Sequence, residues 1–240
     1  MPVLEVMGVT YSYDGFVTVL EQVGFDVDAG EIVGLLGPNG SGKSTLIKTV
    51  FDLLQLQAGS IAVGGHEHVS PVAKSAAMYL ASNDYLPQFL TGREYVEMLG
   101  RLYGVEVDHA VADRLFETFS MSGRYDDLIE DYSHGMRKKT QLISALLMRR
   151  PLTIIDETLN GIDIEALYLT EQELTRLRDE GRSVVLCTHD FALLERLADR
   201  VLFLDHGILV ADASTSSLVE EHGSLATMVF GHLDSQSRRP

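Results

Sequence analysis

The most specific chemistry in the chain lies in one loop, Gly37-Pro38-Asn39-Gly40-Ser41-Gly42-Lys43-Ser44. It fits the pattern G-x-x-x-x-G-K-[ST], in which each position has a physical task. Glycines let successive backbone N–H groups turn inward and bind the β-phosphate of a nucleotide. The lysine brings positive charge to the β- and γ-phosphates, and the hydroxyl after it can ligate Mg²⁺. A helix starting there adds the positive end of its dipole. Gly37, Asn39, Gly40, Ser41, Gly42, Lys43, Ser44 and the adjoining Thr45 are therefore candidates for binding a nucleoside triphosphate.

A second cluster closes the run Leu152-Thr153-Ile154-Ile155 with two carboxylates, Asp156 and Glu157. In phosphate-loop enzymes an Asp at such a strand end holds Mg²⁺, usually through water. Glu157, one residue on, points elsewhere and can orient the attacking water as a general base. Two acidic residues at a solvated strand end are common by themselves. With a phosphate loop in the same chain they read as its catalytic pair.

For these groups to meet, the intervening elements must fold the two loops together. Ile32-Val33-Gly34-Leu35-Leu36 is an apolar run without alternation, as expected for a strand buried on both faces of a parallel sheet. Similar runs stand at Ile61-Ala62-Val63, Ala76-Ala77-Met78-Tyr79-Leu80, Leu152 to Ile155, Ser183-Val184-Val185-Leu186 and Val201-Leu202-Phe203-Leu204. Residues 3–36 read as short strands, including Thr18-Val19-Leu20 and Val23 to Asp28, with a turn at Ala29-Gly30. Leu46, Val50, Leu53 and Leu54 follow helical spacing. So do Ile164, Leu167, Leu174 and Leu177 in a helix over about 164–179. From about 84 to 150 the pattern is helical, with Tyr95, Leu99, Leu102 and Tyr103 on one face and Val111, Leu115 and Phe119 on another. The alternation of strand and helix predicts an α/β fold with a mainly parallel sheet and an inserted helical subdomain.

Read in order, residues 3–213 resemble the nucleotide-binding subunit of ATP-binding cassette (ABC) proteins, most of all the ABC-2-type exporter branch. Tyr132-Ser133-His134-Gly135-Met136-Arg137-Lys138-Lys139 resembles the family signature Leu-Ser-Gly-Gly-Gln, although Ser-His-Gly alone would read as a capped turn. The resemblance implies that Ser133 and Gly135, at a helix start, contact the γ-phosphate of ATP held by an opposite subunit. Asn160-Gly161-Ile162-Asp163 resembles the D-loop, which touches that subunit, and Asp163 is carried over with the nucleotide-binding residues. Cys187-Thr188-His189-Asp190 resembles the switch segment. His189 would hydrogen-bond the γ-phosphate, joining Glu157 and Lys43 as catalytic residues. Tyr13, thirty positions before Lys43, resembles the aromatic that stacks on adenine, with Tyr11 the competing choice. The implied fold is a phosphate-loop NTPase core with a mainly parallel sheet, an N-terminal antiparallel β-subdomain and an inserted helical subdomain. The ABC ATPase domain would span 1–225, and an extension would cover 226–240, with Asp234 to Pro240 frayed.

The sequence departs from the family pattern at three places. The glutamine that usually meets Mg²⁺, water and the membrane partner aligns with Ser82; Gln88 lies too close to the helix start at Thr91-Gly92-Arg93-Glu94. Serine is two carbons shorter, so water would bridge from it to the metal. Thr158 stands where proline usually follows the catalytic glutamate, restoring a backbone N–H. His134 replaces a signature glycine. The metal set expected is thus Ser44, Asp156 and Ser82.

Composition narrows the partners. At 45% hydrophobic and 22% charged residues the chain is of globular type, excluding disordered and collagen-like classes. A net charge of −16 would repel nucleic acid and anionic lipid heads. Arg238-Arg239 is too short to read as a nucleic-acid arm. Arg137-Lys138-Lys139 and Arg149-Arg150 read as a solvated helix face or helix-end charges. The single cysteine, Cys187, allows no internal disulfide and suits a reducing compartment. Neither a signal peptide nor a stretch of roughly 18 apolar residues is present, so a membrane partner would be a separate chain.

With the resemblance, the expectation is an ATPase subunit that binds ATP and Mg²⁺ at the cytoplasmic face of the cell membrane. It would power a separate transmembrane permease subunit, in export, and pair with a second ATPase subunit, identical or homologous. The competing readings are a soluble ABC-type ATPase acting on ribosomes or DNA, and a regulatory module that hydrolyses ATP poorly. No nucleic-acid partner is expected.

Overall fold

The computed structural model describes residues 2–237. β1 (Pro2–Ser12) and β2 (Thr18–Asp28) form an antiparallel pair that buries Leu4 and Val6 and, past a register shift, Val9 and Tyr11, with Leu20 and Val23 of β2. The sequence pattern suggests shorter strands, broken near Gln22. The ladder instead runs through that point, because Gln22 takes a left-handed φ of 52° and donates its backbone N–H to Thr10 Oγ1 at 3.1 Å. Such a bulge lets a strand bend without ending.

β3 (Ile32–Leu36) follows and is buried throughout. The helix after the glycine-rich loop is α1 (Lys43–Val50). It stops before Leu53 and Leu54 because Asp52 turns left-handed, with φ 55°, leaving Leu53 exposed. β4 (Ala58–Val63) and β5 (His66–Glu67) complete an antiparallel sheet of order β2-β1-β4-β5.

A short helix, α2 (Pro71–Ala76), precedes β6 (Ala77–Leu80), so Ala76 ends a helix rather than starting the strand. Ser70 as cap and proline at the first helical position were its signals. The helical block then holds α3 (Gly92–Tyr103), α4 (His109–Thr118) and α5 (His134–Met148). Its core is aromatic, with Phe116, Phe119 and Tyr125 almost fully buried. Leu102 is not part of that core: it lies exposed in the last turn of α3, just before the left-handed Gly104.

The chain returns to the sheet with β7 (Leu152–Asp156) and crosses back through α6 (Ile164–Asp179) to β8 (Ser183–Cys187). Leu174 and Leu177 of α6 are buried, but Ile164 in its first turn projects into solvent. α7 (Phe191–Leu197), β9 (Arg200–Asp205), β10 (Ile208–Ser214), α8 (Thr215–His222) and α9 (Leu225–Ser237) finish the described chain. Helix α9 extends past Asp234, where fraying was expected, because His232 and Gln236 both hydrogen-bond the buried Asp205 carboxylate, at 2.8 and 2.7 Å. Residues 238–240, including Arg238 and Arg239, lie outside the described residues.

The second sheet has the order β10-β9-β3-β8-β7-β6, parallel except for β10. Strand alternation splits its side chains into two cores. Val33, Leu35, Val185 and Ile154 pack against Leu46, Ile47 and Val50 of α1. Ile32, Leu36, Leu186 and Ile155 face the core that includes the helical block. Parallel strands end on one edge, and here the register sets Leu35 beside Cys187 and Cys187 beside Asp156. The phosphate loop and the acidic pair therefore emerge side by side, at the carboxyl ends where open α/β sheets bind ligands.

Candidate functional site

The loop from Gly37 to Gly42 closes because glycine stands where no other residue fits. A Cβ on Gly37 would collide with the Leu204 carbonyl, and one on Gly42, at φ 106°, would lie 2.8 Å from Leu20 Cδ2 and 2.9 Å from Val19 O. Lys43 Nζ donates to the carbonyls of Gly37 and Pro38 at 2.7 and 3.0 Å, so its charge is held over the loop's concave side. Helices α2 to α8 each have a side chain capping the first turn. Helix α1, capped by Gly42, has none. Its first N–H groups are therefore left for an external acceptor, and its dipole favours an anion there.

Facing this helix end is Asp156, whose carboxylate is buried at 3% exposure. Tyr79 donates its hydroxyl to Asp156 Oδ2 at 3.1 Å, and the Cys187 thiol also hydrogen-bonds the carboxylate. Burial outweighs these bonds and pushes the Asp156 carboxyl above its usual range; burial likewise raises the Cys187 thiol and the Tyr79 phenol. Glu157 turns left-handed, with φ 53°, held by its N–H to Cys187 O and its carbonyl to Asn160 N. A side chain in this region is strained, and the turn separates Glu157 from its neighbour. His189 Nε2 lies 2.8 Å from Glu157 Oε1.

A cavity of about 390 Å³ unites most of these groups. Its walls are the loop from Asn39 to Thr45, with Tyr13 and Val19 at one end and Ser82, Asp156 and Glu157 at the other. Gly37 and His189 line the adjoining cleft. Tyr13 is 61% exposed and hydrogen-bonds Thr45 Oγ1 at 3.1 Å, whereas Tyr11 is buried and meets Tyr13 edge-on. Of the two tyrosines, Tyr13 is the one whose ring is free to stack on a base. Val19 had no sequence signal beyond that of a strand residue.

The donors gathered here are oxygens: the Ser44 and Ser82 hydroxyls and the Asp156 carboxylate. Hard oxygen donors suit Mg²⁺, which keeps several waters and takes few protein ligands. Among the described residues no group of three or more His, Cys, Asp or Glu side chains converges on one point. A cation here would accordingly complete its shell with phosphate oxygens and water. The site fits Mg²⁺ on those terms.

Three expected residues lie away from the cavity. Ser133 caps α5, accepting the Met136 N–H at 3.3 Å, and both Ser133 and His134 are exposed. Gly135 has open space around it. Asp163 accepts the Ala166 N–H at 2.9 Å as the cap of α6 and pairs with Lys139 Nζ at 2.6 Å. Both of its carboxylate oxygens are thus engaged within this chain, outside the cavity. Lys138 and Lys139 also depart from expectation. Both are buried, Lys138 donating to Asn160 O and Lys139 to Phe119 O at 3.0 Å. They tie the start of α5 to the segment before α6, so they are not a solvated face.

The family model described as ABC transporter matches residues 20–160. The Nod factor export ATP-binding protein I of Rhizobium sp. (strain N33) is 32% identical, over 95% of this chain and 76% of that protein. The chain belongs to the ABC transporter family. The daunorubicin/doxorubicin resistance ATP-binding protein DrrA of Streptomyces peucetius is 31% identical, over 98% of this chain and 72% of that protein. A solved ATP binding subunit of an ABC transporter superposes with a TM-score of 0.88 at 29% identity, covering 97% of this chain and 99% of the other. As an ABC ATP-binding subunit the chain binds ATP and is an ATPase. ABC subunits of this kind act with membrane permease subunits. Among the described residues no helix is long and apolar enough to cross a membrane.

Proposed function

We propose that this chain is the ATP-hydrolysing engine of an exporter whose membrane-spanning part is a separate polypeptide. It would sit at the cytoplasmic face of the cell membrane, with residues 1–225 as the ATPase domain, 84–150 as its inserted helical subdomain and 226–240 as an extension. Relatives named for Nod factor export and drug resistance support the direction of transport. The observation that carries the reading is the uncapped start of α1 facing Asp156 and Glu157 across one cavity, with Ser133 exposed and Gly135 half-buried outside it.

In this reading Tyr13 stacks on the adenine, and the N–H groups from Asn39 to Thr45 bind the phosphates. Lys43 offsets charge on the β- and γ-phosphates in the transition state. Glu157 accepts a proton from, and orients, the water that attacks in line, while His189, paired to Glu157 in this structure, reaches the γ-phosphate. Ser44, Asp156 and Ser82 would hold Mg²⁺, Ser82 through water. Bound there, Mg²⁺ would supply charge neutralisation to the phosphates. A second ATPase subunit, a copy or a homologue, would place its Ser133 and Gly135 on the γ-phosphate.

The test is to tag the chain, solubilise host membranes in mild detergent and identify what co-purifies by mass spectrometry. A multi-span membrane protein at near-equal amount is expected. Recovery from the soluble fraction alone, without such a partner, would overturn the proposal in favour of a soluble or regulatory ATPase.

A further inference from the structure

We propose that Tyr79 is a positioning residue that fixes the Asp156 carboxylate relative to α1, and thereby sets the affinity of this site for a divalent cation. This rests on the reading of Asp156 as a cation ligand. Tyr79 lies on β6 opposite Ile154, and Ile154 and Asp156 share a face of β7, so the phenol reaches Asp156 diagonally. Its hydroxyl donates to Oδ2 at 3.1 Å. Its ring stacks on Phe51, with centroids 5.1 Å apart and planes 23° from parallel. Phe51 caps the C-terminal end of the helix whose first turn contains Lys43 and Ser44.

One side chain thus touches the acidic half of the site and the far end of the helix whose first turn forms the other half. The stack aligns the phenol with α1, and the hydroxyl takes one lone pair of the carboxylate, so rotation of Asp156 about its side-chain bonds is restrained. Among the described residues no salt bridge reaches this buried carboxylate; Lys43 acts on it only through space, and its hydrogen bonds come from the neutral Tyr79 and Cys187. Outer partners that orient a metal ligand are commonly worth about 10- to 100-fold in metal affinity. Phenylalanine at this position would keep the stack and delete only the donor.

Calorimetric titration with adenylyl imidodiphosphate, in Mg²⁺ and in EDTA, separates the cation's contribution from that of the nucleotide. For Tyr79→Phe we expect affinity in EDTA within about twofold of wild type, and the gain conferred by Mg²⁺ reduced about tenfold or more. Phe51→Leu, which keeps the hydroxyl and loosens the ring, should lose part of the gain. In an Asp156→Ala background Tyr79→Phe should change nothing further. An undiminished Mg²⁺ gain in Tyr79→Phe overturns the proposal, as does equal weakening in Mg²⁺ and EDTA, which would mark a merely structural role. If the wild-type protein itself shows no Mg²⁺ gain, the reading of Asp156 fails instead.

Discussion

Replacing Thr158 with valine isolates one hydroxyl that joins the two strand ends of the site. Thr158 is fully buried, and its Oγ1 donates toward Leu80 O and Ala81 O, both at 3.2 Å. Leu80 ends β6 and Ala81 precedes Ser82, while Thr158 itself follows Glu157. The hydroxyl therefore tethers the Ser82 loop to the acidic end of β7. Valine has the shape of threonine, so no cavity opens, but the donor is lost and a buried acceptor goes without its partner. A lost hydrogen bond of this kind costs about 1–2 kcal/mol. In a chain of this size each kcal/mol lowers the melting temperature by about 2–4 °C, so a fall of about 2–8 °C is expected. Thermal unfolding followed by circular dichroism gives the number, and hydrogen exchange over residues 81–84 should quicken in parallel. A variant that melts with wild type and exchanges at the same rate would refute the tether.

Asp156→Asn should stabilise the fold while removing a functional carboxylate. Burial raises the folded pKa above the ordinary 3.8, so the proton's stabilising contribution is full below that value and is lost as pH rises through the folded pKa. At neutral pH the ionised wild type bears this cost and the amide does not. Melted in EDTA, the variant should exceed wild type near neutrality, with the gap closing toward acid; a lower melting temperature at neutral pH would contradict the sign. Ser82→Gln lengthens the donor at the cavity wall, and hydrolysis should rise about tenfold, the lower end of what an outer partner of a metal contributes. A colorimetric phosphate assay showing an unchanged or slower rate would remove Ser82 from the catalytic scheme.

What the sequence revealed follows the range over which each signal acts. Strand β3, the phosphate loop and the start of α1 are continuous in the chain, and local rules specify them. Helix α6 was placed at about 164–179 and runs Ile164–Asp179, because Asp163 caps it and Leu174 and Leu177 recur on its buried face. The contacts that escaped notice act across long separations. Tyr79 reaches Asp156 across 77 positions, Thr158 reaches Leu80 across 78, and neither residue type announces its partner. Lys138 and Lys139 read as surface because lysine usually is. Their burial depends on carbonyls and a carboxylate that only the tertiary fold supplies. Ile164 and Leu102 failed in the opposite sense. Each fits a helical stripe, but a stripe is covered only as far as a neighbouring element extends.

Ser133 and Gly135, outside the cavity at the start of α5, make the most direct test, since their role requires a second subunit. Glu157→Gln keeps the nucleotide groups and removes the proposed base, so a pair that closes on ATP should persist. Light scattering of this variant in saturating Mg-ATP should give twice the 26.5 kDa mass of the chain, reverting to one chain when Ser133→Arg is added. A 26.5 kDa particle under the same conditions would contradict pairing of this chain with itself.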